Sequence, residues 1–235
     1  MRLKRGLRVA LLLLAGLLTS PVVFCEEQDI PLQKARIDLT DLPALQRGAQ
    51  LFMNYCSGCH SVKYVRYQTM AEDLGMVNSA GQLLSEAIKR NLMFVGDQLQ
   101  DPIKSAMPAA SGAAWFGVAP PDLSLVARSR GADWLYTYLK SFYADPKRPW
   151  GVNNRVFLDV AMPDVLSGLK SRLLAQENGA ALYDRAVLDI VHFLAYAAEP
   201  MQVKRRTLGI WVLLFLGIFC VFAVLLKREY WKDIH

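Results

Sequence analysis

Residues 54–64 read NYCSGCHSVKY, with Cys56 and Cys59 three positions apart and His60 directly after the second cysteine. Two cysteines at this spacing can act as a thiol redox pair, form a disulfide, supply half of a zinc site, or carry a covalently attached haem. The compartment of the segment and the other ligands that the chain offers decide between these uses.

The N-terminal segment indicates export. Four basic residues precede the apolar run VALLLLAGLL at residues 9–18, and an acidic stretch begins at Glu26. This order is typical of a secretory signal peptide, and the apolar run is shorter than the roughly 20 residues of a membrane span. We therefore predict a signal peptide at residues 1–25 and a domain outside the cytoplasm from residue 26, with a retained N-terminal anchor as the alternative.

A second apolar segment lies near the C-terminus. Residues 208–226, LGIWVLLFLGIFCVFAVLL, are uncharged and, at ~1.5 Å per helical residue, are long enough to cross a bilayer core of ~30 Å. We predict a transmembrane helix with basic flanks at residues 204–228 and a cytoplasmic tail at residues 229–235. Three basic residues lie on each side of the apolar segment, so the signal peptide, and not the flanking charge, determines the orientation.

The distribution of charge gives no support for nucleic-acid binding. The chain has a formal net charge of +6, but between residues 26 and 203 there are 17 Lys and Arg against 19 Asp and Glu, a net charge of −2. The positive excess therefore lies at the signal peptide and around the membrane helix, and a slightly acidic outer domain suits a basic soluble partner. These 178 residues are enough for one core, so we predict a single outer domain.

The cysteine pair fits haem attachment better than zinc or thiol chemistry. A structural zinc site needs four ligands, and the domain offers one further histidine, His192, with no second CxxC or HxxxH. A thioredoxin-type CxxC follows a strand, whereas residues 43–56 carry apolar or small residues at helical spacing. Cysteines at i and i+3 on one helical face can bond the two vinyl groups of a haem, and His60 can then bind its iron. A thiol site and a Cys56–Cys59 disulfide are the alternatives.

The second iron ligand separates catalysis from electron transfer. Iron held by His alone keeps an open position, whereas His and Met together close the site and raise its potential. His192 lies in a predicted helix with an apolar face from Val187 to Ala198, where a histidine more often has a structural role. Met107 and Met162 are each followed by proline, which stiffens a loop. The residues alone do not show which of these two methionines is the better candidate for the second iron ligand.

Several motifs in a fixed order carry a family resemblance. CSGCH is followed by AMPAASGAAWFGVAPPDLSLVARSRGADWLYTYLKSFY, by FLDVAMPDVL and by FLAYAAEP, with one C-terminal membrane helix. From about Asp38 to its end the chain resembles cytochrome c1 in its bacterial form, the haem-bearing subunit of the ubiquinol:cytochrome c oxidoreductase complex. The resemblance implies a mostly α-helical, cytochrome c-like haem domain with a long insertion between His60 and Met162. In it, the helix ending at CSGCH crosses the helix at residues 186–198, and Gly48 permits a close approach.

The resemblance also implies the site and its role. It implies one haem c, covalently attached to Cys56 and Cys59. The iron ligands would be His60 and Met162. Arg130 would contact a haem propionate, and Pro121 of PPDLS would be among the haem-binding residues. The family often has a tyrosine and one extra residue where this chain reads RGADW, so the resemblance assigns no role to Trp134.

The function implied is electron transfer within a larger assembly. The chain would be no enzyme on its own, but would pass single electrons from a Rieske iron-sulfur protein to a soluble cytochrome c. Its partners would be cytochrome b and the Rieske subunit, in a dimeric complex of the inner membrane, with the haem domain on the periplasmic side. A membrane-anchored cytochrome c serving a terminal oxidase or another reductase is the alternative, and a peroxidase with an open iron site is a third possibility.

Overall fold

The architecture is mostly α-helical. The structure is a computed structural model, and it describes residues 30–232. The predicted signal peptide at residues 1–25 and the last three residues of the predicted tail lie outside the described part. The described elements are α1 Leu42–Tyr55, β1 Val62–Arg66, α2 Tyr67–Asp73, α3 Ser85–Leu92, β2 Pro102–Ile103, α4 Ala109–Phe116, α5 Val126–Ser129, α6 Ala132–Lys140, β3 Phe142–Ala144, β4 Val152–Asn154, α7 Ser167–Leu174, α8 Gly179–Ala198 and α9 Gln202–Tyr230.

The central feature is the crossing of α1 and α8. Helix α1 begins where Asp41 accepts a hydrogen bond from the Ala44 amide at 3.0 Å, with Pro43 in the first turn, where its missing N–H costs nothing. At the crossing, a Cβ atom on Gly48 would lie 2.0 Å from the backbone oxygen of Asp189. The predicted close approach at Gly48 is therefore confirmed.

A partly buried ion pair spans the same crossing. Arg47 donates from Nε and from one terminal nitrogen to the two carboxylate oxygens of Asp189, at 2.7 and 3.0 Å. The side chain of Asp189 is 5 % exposed. A bidentate pair has one preferred geometry, so it fixes the position of α1 along α8 more precisely than apolar packing alone. The hydrogen bond to Asp189 also raises the pKa of Arg47.

The core lies along α8. The residues of its predicted apolar face, from Val187 to Ala198, are buried, and Phe193 packs on Phe52 of α1 with ring centroids 5.2 Å apart. Helix α8 is longer than predicted, because it begins at Gly179. The residue before it, Asn178, is the N-terminal cap and adopts a left-handed conformation. Its buried face supports α1, and therefore also the CSGCH turn that follows α1.

Two small antiparallel sheets were not predicted from the sequence. Strand β1 pairs with β2, and β3 pairs with β4 so that Phe142 lies opposite Asn154. The strands have two to five residues, too few for an alternating apolar pattern to stand out. The second sheet brings the end of α6 next to the loop that leads to Met162.

Helix α9 has the properties of a membrane span. It is 29 residues long, its mean hydropathy in the most apolar window is 2.9, and its apolar side chains are exposed. It contains the predicted segment at residues 204–228. At its first turn, Lys204 lies 2.7 Å from Asp73 of α2, and Asp73 also accepts a hydrogen bond from the Tyr196 hydroxyl at 3.0 Å.

Candidate functional site

The CSGCH turn is built on the end of α1. The helix ends at Tyr55 and Cys56 is its C-terminal cap, so the two cysteines lie in the following turn and not on the helix, where we predicted them. The turn is nevertheless tightly bonded, because the amides of Cys59 and His60 both donate to the Cys56 carbonyl, at 3.1 and 2.8 Å. The Ser57 hydroxyl donates to the Met53 carbonyl at 2.7 Å. The backbone thus holds both thiols and the imidazole in one small region.

Neither thiol has the properties of a redox-active cysteine. Burial raises the pKa of the Cys56 thiol to about 12 and raises that of Cys59 as well. Reactive cysteines have a lowered pKa, because the thiolate is the nucleophile. The site therefore lacks the electrostatics of a thiol oxidoreductase. Among residues 30–232, no three His, Cys, Asp or Glu side chains form a group that could hold a metal ion such as zinc.

His60 is oriented by the PPDLS loop. Its Nδ1 lies 2.8 Å from the carbonyl oxygen of Pro121. Because a carbonyl only accepts, Nδ1 carries the proton and Nε2 keeps its lone pair for a metal. Burial lowers the pKa of His60, partly offset by the Pro121 carbonyl, which favours the neutral ring that a ligand requires. The loop is fixed in turn, since the Leu123 amide donates to the Ser61 carbonyl at 2.7 Å.

An apolar cleft with a cavity volume of about 90 Å³ opens beside this turn. Five of the six predicted site residues line it, namely Cys56, Cys59, His60, Pro121 and Met162. The remaining lining residues are apolar or aromatic: Tyr55, Phe116, Val118, Pro120, Ala161, Pro163 and Val165. Two thiols, an imidazole with a free Nε2 and a thioether in one otherwise apolar cleft fit a haem, because each is a known attachment or iron-binding group.

The structure distinguishes between the two methionines that were equal candidates for the second iron ligand in the sequence. Met162 lines the cleft with the CSGCH residues. Met107 lines a neighbouring groove, and its sulfur would lie 3.2 Å from a Cβ atom on Gly112 of α4. This arrangement favours Met162 over Met107 as the second iron ligand.

His192 has a structural environment. Its Nδ1 donates to the Leu188 carbonyl at 2.9 Å, and its Nε2 accepts from the Asp38 amide at 3.1 Å. The ring is 5 % exposed, and both nitrogens are occupied. His192 therefore joins the extended segment before α1 to α8, and has no nitrogen left for a metal.

Arg130 does not line the cleft, but lies at the end of a row of side chains that reaches it. Its guanidinium is 5.2 Å from the centroid of Trp134. Trp134 stacks on Tyr138 with centroids 4.9 Å apart and an angle of 10° between the rings, and the Tyr138 hydroxyl donates to the sulfur of Met162 at 3.4 Å. The three residues of this row are four positions apart, with Arg130 at the C-terminal cap of α5 and Trp134 and Tyr138 in α6. Burial raises the pKa of Tyr138 to about 12, so that this phenol keeps its proton.

Two residues that sequence reasoning missed hold the loop of Met162. Buried Asn154 donates to the Tyr138 carbonyl at 2.7 Å and accepts from the Val156 amide at 2.9 Å. Arg148 donates to the Asp159 side chain at 2.8 Å and to its carbonyl at 2.7 Å. These contacts join residues 2 to 16 positions apart, and no motif in the sequence signals them.

Comparison with known proteins identifies related sequences. The model of the Cytochrome C1 family matches residues 33–234. The chain is 46 % identical over 226 residues to cytochrome c1 of Allochromatium vinosum, covering 87 % of this chain and 90 % of that protein. It is 41 % identical over 239 residues to the ammonia monooxygenase gamma subunit of Nitrosomonas europaea, covering 97 % and 99 %. It is 29 % identical over 236 residues to cytochrome b/c1 of Bradyrhizobium diazoefficiens, covering 83 % of this chain and 34 % of that longer protein.

Proposed function

The chain belongs to the cytochrome c1 family, and from this premise we propose that it passes single electrons from a Rieske iron-sulfur protein to a soluble cytochrome c. Membership implies haem c and a role in electron transport as a membrane-anchored subunit. The observation that carries the finer proposal is the cleft that collects Cys56, Cys59, His60 and Met162. Alone, the chain forms no bond to a substrate, so it acts as the electron-transfer subunit of a larger enzyme.

One haem, attached through thioethers to Cys56 and Cys59, would supply reversible one-electron chemistry in this cleft. His60 would offer Nε2 to the iron, and the Pro121 carbonyl would keep the other nitrogen protonated. Met162 would be the second ligand, and the apolar lining would exclude water and external ligands. This arrangement suits electron transfer better than peroxidase chemistry, because His and Met together leave no open iron position.

Arg130 is proposed to contact a haem propionate. Its guanidinium can donate two parallel hydrogen bonds to a carboxylate, and it is exposed in the described structure. The guanidinium lies 5.2 Å from the centroid of the Trp134 ring and outside the lining of the cleft, so this proposal rests on the resemblance and on the chemistry of the guanidinium. The resemblance gave Trp134 no role, and its stacking on Tyr138 suggests that it supports that ring.

The proposed partners are cytochrome b and a Rieske protein in a dimeric complex of the inner membrane, with the haem domain on the periplasmic side. The name of the longer relative, cytochrome b/c1, supports the first of these. Helix α9 supports membrane anchoring, and the sequence of residues 1–25 supports export of the domain. Mild-detergent extracts of the native membrane should yield the chain together with a cytochrome b and a Rieske protein.

A second candidate function follows from the relative named ammonia monooxygenase gamma subunit. In that case the same cleft and anchor would serve a monooxygenase. Co-purification separates the candidates, because a monooxygenase partner in place of cytochrome b would favour the second one. A terminal-oxidase partner would favour the alternative derived from the sequence.

Replacing Met162 by leucine tests the proposed ligand. In the purified full chain, Met162→Leu should keep the covalent haem but change the optical spectrum and lower the midpoint potential by on the order of 100 mV, because a thioether ligand raises the potential. Met107→Leu serves as the control and should leave both readouts unchanged. An unchanged Met162→Leu protein, or a shift in the Met107→Leu protein, would contradict the assignment.

A further inference from the structure

The Tyr138 hydroxyl and the Met162 sulfur form a contact that the proposed ligand set does not use. They lie 3.4 Å apart, with the phenol as donor. We propose that Tyr138 is a positioning residue that holds the Met162 sulfur for iron binding and adjusts its strength as a ligand. This inference rests on the proposed function, because it requires Met162 to be the second ligand.

The ring of Tyr138 is fixed on two sides. Trp134 stacks on it at 4.9 Å, and the edge of Phe142 meets it at 5.4 Å and an angle of 72°. These neighbours leave the ring little freedom to turn, so the direction of the hydroxyl is set by packing and not by the methionine. A donor that is already ordered loses little conformational entropy when it bonds.

The backbone of Tyr138 is tied to the loop of Met162. The side-chain nitrogen Nδ2 of Asn154 donates to the Tyr138 carbonyl. Its side-chain oxygen Oδ1 accepts from the backbone amides of Val156 and Phe157, at 2.9 and 3.2 Å. One buried side chain, 0 % exposed, therefore ties the backbone of Tyr138 to the start of the segment that leads to Met162.

The hydroxyl has no competing partner in the described part of the chain. Its one hydrogen bond there is to Met162. Tyr136, two residues earlier in the same helix, instead accepts from Lys140 at 3.2 Å. The phenol of Tyr138 is partly buried, and the sulfur of Met162 is the hydrogen-bond partner that it finds there.

A hydrogen bond to the thioether has a defined electronic effect. Sulfur has two lone pairs, so a donor on one of them leaves the other for a metal. The donor also withdraws electron density, which makes the thioether a weaker donor and favours the reduced iron. Loss of the hydroxyl should therefore lower the potential.

The test is a potentiometric titration of the full chain, with wild type beside Tyr138→Phe. Tyr138→Phe keeps the packed ring and should retain the His/Met spectrum, while the one-electron equilibrium shifts about tenfold toward the oxidised state, equal to about 59 mV. Tyr136→Phe, which loses only the contact with Lys140, should match wild type.

The outcomes separate this inference from the proposed function. A shift in Tyr138→Phe but not in Tyr136→Phe supports the positioning role. If Met162→Leu changes spectrum and potential while Tyr138→Phe matches wild type, the inference is wrong and the ligand assignment stands. If neither variant changes, the inference and the ligand assignment are both wrong.

Discussion

Asp133 is the residue through which the extended segment before α1 is held to α6. One of its carboxylate oxygens accepts from Lys34 at 2.6 Å and the other from the Ala35 amide at 2.8 Å. The hydrogen bond from Lys34, followed by that from Ala35, lowers the pKa of Asp133 below its ordinary value of 3.8. A carboxylate with a lowered pKa stabilises the folded protein above its ordinary pKa, and this stabilisation is lost as the pH falls through the folded pKa.

We expect the stabilisation by Asp133 to depend on pH in this direction. The wild type should melt at a higher temperature than Asp133→Asn at pH 7, and the difference should shrink as the pH falls below about 3.8, the ordinary carboxyl value. Thermal unfolding of the full chain in detergent from pH 7 to pH 3 measures it. Asp97→Asn, at an exposed position, is the control. A difference that persists or grows at low pH would contradict the assigned direction.

At the scale of single residues, the sequence was enough to predict which side chains meet in the cleft, but not which residues hold them there. CSGCH is a local motif whose spacing implies its use, and the structure collects its side chains in one cleft. The support from Asn154, Tyr138 and the Pro121 carbonyl depends on contacts between residues far apart in the chain. The sequence marks Pro121 as part of a motif without indicating that its carbonyl orients His60.

The crossing of α1 and α8 is the element-scale feature on which the site depends. Gly48→Ala should destabilise the full chain by about 3 kcal/mol or more, because the new methyl group would collide with the Asp189 backbone, which cannot move as a side chain can. Gly168→Ala in α7 is the matched control, since a Cβ atom there meets nothing within 4 Å. It should be neutral or up to about 1 kcal/mol more stable.

Chemical denaturation of both variants measures this difference. Equal stabilities would show that the crossing can open without cost, which would contradict the role given to Gly48. The loss of stability should also affect the CSGCH turn, because α1 ends at the residue before Cys56.

At the scale of elements, periodicity predicted the long helices and missed the short strands. The apolar spacing in α1 and α8 extends over several turns, so the face that each helix buries could be read from the sequence. Strands of two to five residues carry no such signal, and their pairing depends on residues as far apart as Val62 and Ile103. The end of α1 was also misplaced, because CSGC continues in a hydrogen-bonded turn that resembles a helix in its spacing.

For the whole molecule, Asp73 connects the haem domain to the membrane helix. Its side chain is 12 % exposed and bonds both Tyr196 of α8 and Lys204 of α9. Asp73→Asn should weaken the charged contact by about 1 kcal/mol, a value typical of a partly exposed pair, and should raise amide exchange several-fold at residues 199–206. Hydrogen–deuterium exchange of the full chain in detergent measures this effect.

Glu72→Gln, at the exposed neighbouring carboxylate, should exchange as wild type does. A uniform increase throughout the haem domain in Asp73→Asn would contradict a local role at the junction. The existence of the membrane helix could be predicted from hydropathy alone, whereas this junction could not, because Asp73 and Lys204 are 131 residues apart.

The burial of Cys56 has a consequence for the biogenesis of the protein. Its side chain belongs to the core and is 9 % exposed, with α1 packed on α8 behind it. Under the proposed covalent attachment, a maturation enzyme could not reach this thiol once the two helices have met. The haem would therefore be joined to the chain after export but before the helices pack, and the order of assembly would be attachment first and folding second.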